Sequence, residues 1–195
     1  MRISNYLYKE NVLTKKECKK VINEGAKQLQ KAITYNAKEE GEASSIRETN
    51  ISFFESGSAI DNILQKVIEN LCNIAFTYYG VGITDVEPIQ YAEYEKGMFY
   101  GWHTDSGKTT TQTVKRDISA SLILNDKSKY TGGSLQMVLP DMISKDNIIT
   151  PQDVEDQEEG TLIVFPSSMI HRVTPVSSGI RKSLVLWSCS NIKFT

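Results

Sequence analysis

The chain has 195 residues, 39% hydrophobic and 24% charged, enough to bury one sizeable core without disulfides or structural metals. Its 24 acidic and 22 basic residues leave a net charge of −2, so charge balance gives no reason to expect nucleic acid or an anionic membrane as partner. Cys18, Cys72 and Cys189 are odd in number and form no C-x-x-C pair, which excludes a disulfide framework or zinc knuckle and predicts a reducing, cytoplasmic setting. The N-terminus lacks a signal-peptide core and no 18 apolar residues run together, so the expectation is one soluble, unprocessed domain over 1–195.

From Thr14, the residues Cys18, Val21, Ile22, Ala26 and Leu29 recur at helical spacing, and Thr14 with Glu17 forms a T-x-x-E capping box. The polar segment Lys38 to Ser45 reads as a loop, followed by a short strand at Asn50 to Phe54. A second helix is predicted from about Ala59 to Tyr79, with Ser58 as N-cap, an apolar stripe from Ile60 to Ala75, and Gly80 as terminator. Beyond Gly82 the period changes to short β-type runs: IQYAEY, ISASLILN, SLQMVL, TLIVFP, HRVTPV and SLVLWS. Turns are expected at Glu95-Lys96-Gly97, Tyr130-Thr131-Gly132-Gly133 and Ser177-Ser178-Gly179, with a long polar excursion from Pro140 to Gly160. Two helices followed by antiparallel-looking strands, without a βαβ rhythm, predict an α+β domain. Helical support over about 12–82 backs a jelly-roll β core over about 85–191.

The chain has two histidines, His103 and His171. His103 and Asp105 stand two apart in YGWHTDSG, so an extended backbone puts both on one face, where an imidazole and a carboxylate can take adjacent positions on a metal. His171, at the start of a distant predicted strand, is the candidate third ligand. A two-His, one-carboxylate set leaves coordination positions open, which suits Fe(II) with a chelating cosubstrate and O2 rather than a closed zinc site. Arg181 follows across the Gly179 turn, where a β-turn return is expected to bring it back beside the metal strand, and its planar guanidinium suits bidentate capture of a carboxylate, with Ser183 adding a hydroxyl from the same strand face. Fe(II), Asp105, a dicarboxylate such as 2-oxoglutarate and Arg181 together sum to zero charge, which a closed pocket tolerates.

YEKGMFYGWHTDSG, DISASLILNDKSKYTGGSLQM and FPSSMIHRVTPVSSGIRKSLVLW, in this order between about Ile89 and Ser188, resemble the Fe(II) and 2-oxoglutarate dependent dioxygenases, specifically the prolyl 4-hydroxylase-like group and its bacterial PKHD-type branch. The resemblance implies a double-stranded β-helix (jelly roll) holding Fe(II) through His103, Asp105 and His171, with 2-oxoglutarate and O2 as cosubstrates and ascorbate as a candidate accessory. It places Arg181 on the distal carboxylate and Tyr94, Ser183, Leu135, Val173 and Trp187 around the cosubstrate. Tyr100 falls near the prime substrate. The implied reaction hydroxylates a prolyl or other amino-acid-type substrate, peptidyl or small-molecule, with release of succinate and CO2. In this sequence ISASLILN offers Ser119 and Ser121 but not the tyrosine that the vertebrate oxygen sensors carry there. Trp187 stands where the nucleic-acid demethylases have a second arginine, which disfavours a repair role, and Asp105 disfavours the halogenase branch. The residues alone also admit a cupin-like metalloenzyme that does without 2-oxoglutarate, or a noncatalytic jelly-roll binding module. The loops rimming the pocket are expected at Ser106 to Lys115, with a lid over Thr109 to Thr113, and at Pro140 to Gly160.

Overall fold

The computed structural model describes residues 6–35, 45–54, 57–106, 115–138, 152–154, 157–190 and 192–193. The predicted lid at Thr109 to Thr113 and most of the segments Lys38 to Ser45 and Pro140 to Gly160 lie outside the described residues. Strand β1 (Leu7–Lys9) precedes helix α1 (Lys15–Gly25), which begins as its capping box dictates. Thr14 Oγ1 accepts from Glu17 N–H at 3.3 Å, and the Glu17 carboxylate accepts from Thr14 N–H at 2.7 Å. The helix ends at Gly25, earlier than the spacing of Ala26 and Leu29 predicts. Ala26 to Gln28 continue as one 3-10 turn, Leu29 is extended (φ −61°, ψ 133°), and the chain enters β2 (Gln30–Tyr35), whose backbone pairs with β3 (Ser45–Phe53). Strand β3 starts five residues before the predicted Asn50.

Helix α2 (Asp61–Tyr79) buries Leu64, Val67, Leu71, Ile74 and Ala75 along the predicted stripe and ends at Gly80 in the left-handed region (φ 64°). Ser58 does not cap it. Instead the Asp61 carboxylate accepts from the N–H groups of Gly57 and Ser58 and from Ser58 Oγ, drawing the preceding loop onto the helix. The strands that follow are β4 (Val81–Gly82), β5 (Asp85–Val86), β6 (Gln90–Tyr94), β7 (Phe99–His103), β8 (Arg116–Ile123), β9 (Tyr130–Gly132), β10 (Leu135–Met137), β11 (Gln152–Asp153), β12 (Leu162–Pro166), β13 (His171–Val173), β14 (Val176–Gly179), β15 (Arg181–Cys189) and β16 (Ile192–Lys193). HRVTPV is thus two strands, broken at Thr174 and Pro175, and Ser177 and Ser178 lie in β14 rather than in a turn.

All pairings are antiparallel, and the main sheet runs β1-β12-β8-β15-β6-β3-β7-β13-β10-β11. Strand β3 rolls this sheet over on itself. Its Asn50 to Phe53 half pairs with β6, and Arg47 and Glu48 pair with β7 in the facing layer. The N-terminal third is therefore part of the β core as well as its helical support. Period-two alternation divides the interior in two. Leu122, Leu162, Val164, Leu184 and Leu186 face the helices in one cluster, while Ile123, Ile163, Phe165, Ala92 and Tyr94 face inward between the layers in another. The architecture is an α+β double-stranded β-helix. No helix of the described residues is long and apolar enough to cross a membrane.

Candidate active site

The inward cluster opens into a pocket lined by Arg47, Gln90, Tyr94, Tyr100, His103, Asp105, Leu135, Phe165, His171, Val173, Arg181, Ser183, Val185 and Trp187, among others. Every residue assigned from the sequence to the metal, the cosubstrate or the prime substrate is in that set. Arg47 and Gln90 were not singled out, and the only trace of Arg47 in the sequence is a lone cation on the inward face of a strand whose start was placed too late.

His103 ends β7 and His171 begins β13, and the two are direct cross-strand partners. Asp105 lies beyond the end of β7, in a loop pinned to the turn after β12. The N–H groups of Asp105 and Ser106 both donate to Ser167 O (2.8 and 3.0 Å), and Ser167 Oγ is 2.8 Å from Ser119 Oγ. The chain is thus not extended through Asp105, and the loop anchor rather than strand periodicity brings the carboxylate in. Its two oxygens stand 3.6 Å from His103 Nε2 and 3.6 Å from His171 Nε2.

Both imidazoles are set in one tautomer. His103 Nδ1 is 2.8 Å from Gly101 O and His171 Nδ1 is 2.9 Å from Met169 O; a carbonyl only accepts, so Nδ1 carries the proton and each Nε2 turns a lone pair to the pocket. Tyr100 stacks on His103 (centroids 3.5 Å, 10° between planes) and Phe165 meets His171 edge-on at 4.8 Å. Burial, then the neighbouring His171, push the His103 pKa down and keep the ring neutral, as a ligand must be. One ligand atom from each of the three residues lies within 4.8 Å of the others, and two neutral nitrogens with one carboxylate suit a first-row divalent ion such as Fe(II).

Arg181 begins β15 in register with Tyr94 of β6 and is 1% exposed. It does not return beside the metal strand as a hairpin, because β14 leaves to pair with β9 and β15 pairs with β6 and β8. It reaches the same pocket from the opposite layer. One guanidinium nitrogen, Nη1, donates to Ser183 Oγ at 2.8 Å, while Nε and Nη2 are buried with no partner. A buried cation with two bare donors is costly unless a ligand supplies acceptors, so this orphaned fork fits a carboxylate. Arg181 lies 5.6 Å over the Tyr94 ring, and Leu135 and Val173, cross-strand partners on β10 and β13, wall the cavity. Gly133, at φ 60°, makes room: a Cβ there would lie 3.1 Å from Arg181 Cδ and 2.9 Å from Val176 Cγ2. Trp187 lies six residues along β15 from Arg181, about 20 Å at strand rise. Arg116 covers it at 4.1 Å and is itself clamped by Glu87 through two 2.6 Å bonds.

The family model of the 2OG-Fe(II) oxygenase superfamily matches residues 89–189. The chain belongs to that superfamily. The match spans His103, Asp105, His171 and Arg181, and the superfamily takes Fe(II), 2-oxoglutarate and O2. The chain is 36% identical over 110 residues to a PKHD-type hydroxylase of Thermosynechococcus vestitus, covering 55% of this chain and 45% of that one. It is 32% identical over 113 residues to a PKHD-type hydroxylase of Cupriavidus metallidurans, covering 55% and 46%. It thus spans a little under half the length of these relatives. Among solved structures, a Pseudomonas putida prolyl-4-hydroxylase superposes with TM-score 0.70 at 23% identity over 97% of this chain and 94% of that one, which establishes the shared fold.

Proposed function

We propose that this superfamily member is a 2-oxoglutarate-dependent hydroxylase of a prolyl or other amino-acid-type substrate, peptidyl or free. The observation that carries the reading is the pairing of two elements in one pocket: three converging metal-ligand side chains, and a buried arginine whose bare donors ask for a carboxylate. The second element disfavours a metalloenzyme that does without a diacid, and the first disfavours a noncatalytic module. When bound, iron and 2-oxoglutarate supply the oxidation with O2, releasing succinate and CO2 as the substrate is hydroxylated.

The chain's own residues do the positioning. His103, Asp105 and His171 hold the metal, with the backbone carbonyls of Gly101 and Met169 fixing the imidazoles. Arg181 and Ser183 capture the distal carboxylate, the Tyr94 ring lies beneath Arg181, and Leu135 and Val173 exclude water from the cosubstrate. Tyr100, stacked on His103, lies beside the substrate, and Trp187 walls the pocket away from Arg181. Support for a peptidyl or amino-acid substrate comes from PKHD-type hydroxylases among the relatives and from a Trichoplax adhaerens prolyl hydroxylase, solved with a hypoxia-inducible-factor peptide fragment, that shares the fold at TM-score 0.68 and 16% identity. The free thiols of Cys18, Cys72 and Cys189 are in keeping with a reducing, cytoplasmic location.

The test is a screen for substrate-stimulated succinate across prolyl peptides, free amino acids and nucleic acids, with Fe(II) and ascorbate supplied. Stimulation by a prolyl or amino-acid ligand, lost in His103→Ala, is the expected result. No succinate under any condition, or undiminished succinate in the variant, overturns the reading.

A further inference from the structure

The pocket contains a second guanidinium that nothing in the triad or the cosubstrate site uses. Arg47, on β3, stands opposite Tyr100 in the β3–β7 ladder, and its guanidinium carbon lies 4.8 Å over the Tyr100 ring. Tyr100 in turn stacks on His103, so guanidinium, phenol and imidazole form one column ending at the metal site. The Arg47 Nη2 reaches Gln90 Oε1 at a long 3.3 Å, and Nε is buried without a partner.

Its position separates it from Arg181. Gln90 and Tyr94 are four residues apart on β6, about 13 Å at strand rise, and β15 sets Val185 opposite Gln90 and Arg181 opposite Tyr94. Arg47 therefore serves the end of the cavity away from Arg181, where Trp187 Nε1 is a second buried donor without an acceptor. Arg116, close by, shows the alternative, since Glu87 neutralises it bidentately. No described carboxylate forms an ion pair with Arg47.

The charge sum points the same way. Fe(II), Asp105, 2-oxoglutarate and Arg181 cancel, so Arg47 leaves the loaded pocket one positive charge in excess, in a cavity where an uncompensated charge is costly. We infer that Arg47 is a substrate-anchoring residue and that the substrate carries a carboxylate, received by the Arg47 Nε edge beside Tyr100 and Trp187. This rests on the oxygenase reading for the identity of the other occupants. It deepens that reading from an amino-acid-type substrate to an anionic one, either a free or C-terminal α-carboxylate or an acidic side chain. A neutral internal prolyl residue does not meet this requirement.

The experiment is calorimetric and needs no turnover. Wild type, R47Q and R47K are loaded with Mn(II) under nitrogen. Each is titrated, with and without 2-oxoglutarate, against free and N-acetylated amino acids paired with their amides, and against N-acetyl Asp and Glu amides paired with the Asn and Gln amides. Wild type should bind at least one carboxylate tenfold or more tightly than its neutral partner, R47Q should lose that preference, and R47K should keep part of it through charge alone. The free, acetylated and side-chain arms tell the three carboxylate sources apart. Absence of a tenfold preference in every pair, a preference that survives in R47Q, or an equal loss of 2-oxoglutarate affinity in R47Q overturns the assignment. Failure of the oxygenase reading shows elsewhere, as wild type that does not bind 2-oxoglutarate or R181A that binds it unchanged; the titrations without 2-oxoglutarate still decide the role of Arg47.

Discussion

His103 and His171 face each other across a single antiparallel strand pair, with Cα atoms in register and ring centroids 4.1 Å apart. Adjacent antiparallel strands hold opposed side chains at fixed separation, so the β7–β13 ladder presets the distance between two candidate metal ligands before any ion arrives. Asp105 comes from a loop held by Ser167, and so the triad combines a rigid pair with a third candidate ligand, in a loop whose Asp105 and Ser106 N–H groups both donate to Ser167 O.

Replacing either histidine by alanine should therefore weaken divalent-metal binding by more than about 100-fold, beyond the 10–100-fold range of outer-shell partners, without unfolding the sheet. Titration of the apoprotein with Mn(II), with circular dichroism as the fold control, checks this. Retained affinity in either variant would remove that histidine from the ligand set.

Arg181 should trade stability for binding. Its Nε and Nη2 are buried without acceptors, so Arg181→Met should leave the thermal midpoint of the protein without 2-oxoglutarate unchanged or higher. The same change removes hydrogen bonds worth roughly 1.5–3 kcal/mol each to a charged ligand and should weaken 2-oxoglutarate by about 100-fold or more. Melting curves with and without 2-oxoglutarate separate the two effects. A ligand-induced shift in the variant equal to that of wild type would refute the role of Arg181.

Gly133→Ala should act on the same site from behind. The added methyl would press on Val176 Cγ2 and Arg181 Cδ at a backbone φ of 60°, which alanine resists. The expected outcome is a loss of about 1–3 kcal/mol of stability together with weaker 2-oxoglutarate binding, read by urea denaturation and by calorimetry. Loss of stability with unaltered 2-oxoglutarate affinity would separate Gly133 from the site.

The metal-free protein should become less stable in acid because of His103. Its folded pKa is lowered by burial and by His171, so the unfolded chain, with an ordinary value near about 6.5, takes up the proton first. The contribution is complete above that ordinary value and is lost as pH falls from there toward the lowered folded value. Urea midpoints in a chelator, compared between wild type and His103→Gln from pH 8 to pH 5, should differ by a constant amount above about pH 6.5, and below it wild type should lose stability relative to the variant. Parallel profiles would show that His103 does not carry this dependence.

Much of this was present in the linear chain. The capping box at Thr14 and Glu17, the stripe of α2 and its Gly80 stop, the β runs after Gly82 and the residues that make up the site all depend on local chemistry and short periods, which sequence carries directly. What the sequence misplaced depends on partners far away. Strand β2 has no local signal in the sequence because only its ladder with β3 makes it extended, and the first residues of β3 owe their conformation to β2 and β7. The expected turn at Ser177 and Ser178 became strand because β9 pairs with it. The two histidines, Asp105 and Arg181 could be named as residue types, but spacing placed Asp105 by strand alternation and Arg181 by a hairpin. The structure brings in Asp105 through the Ser167 anchor and Arg181 from the opposite layer. Arg47 became visible only after folding, since an unpartnered donor is a property of the space around it, and that space is made by the sheet closing on itself.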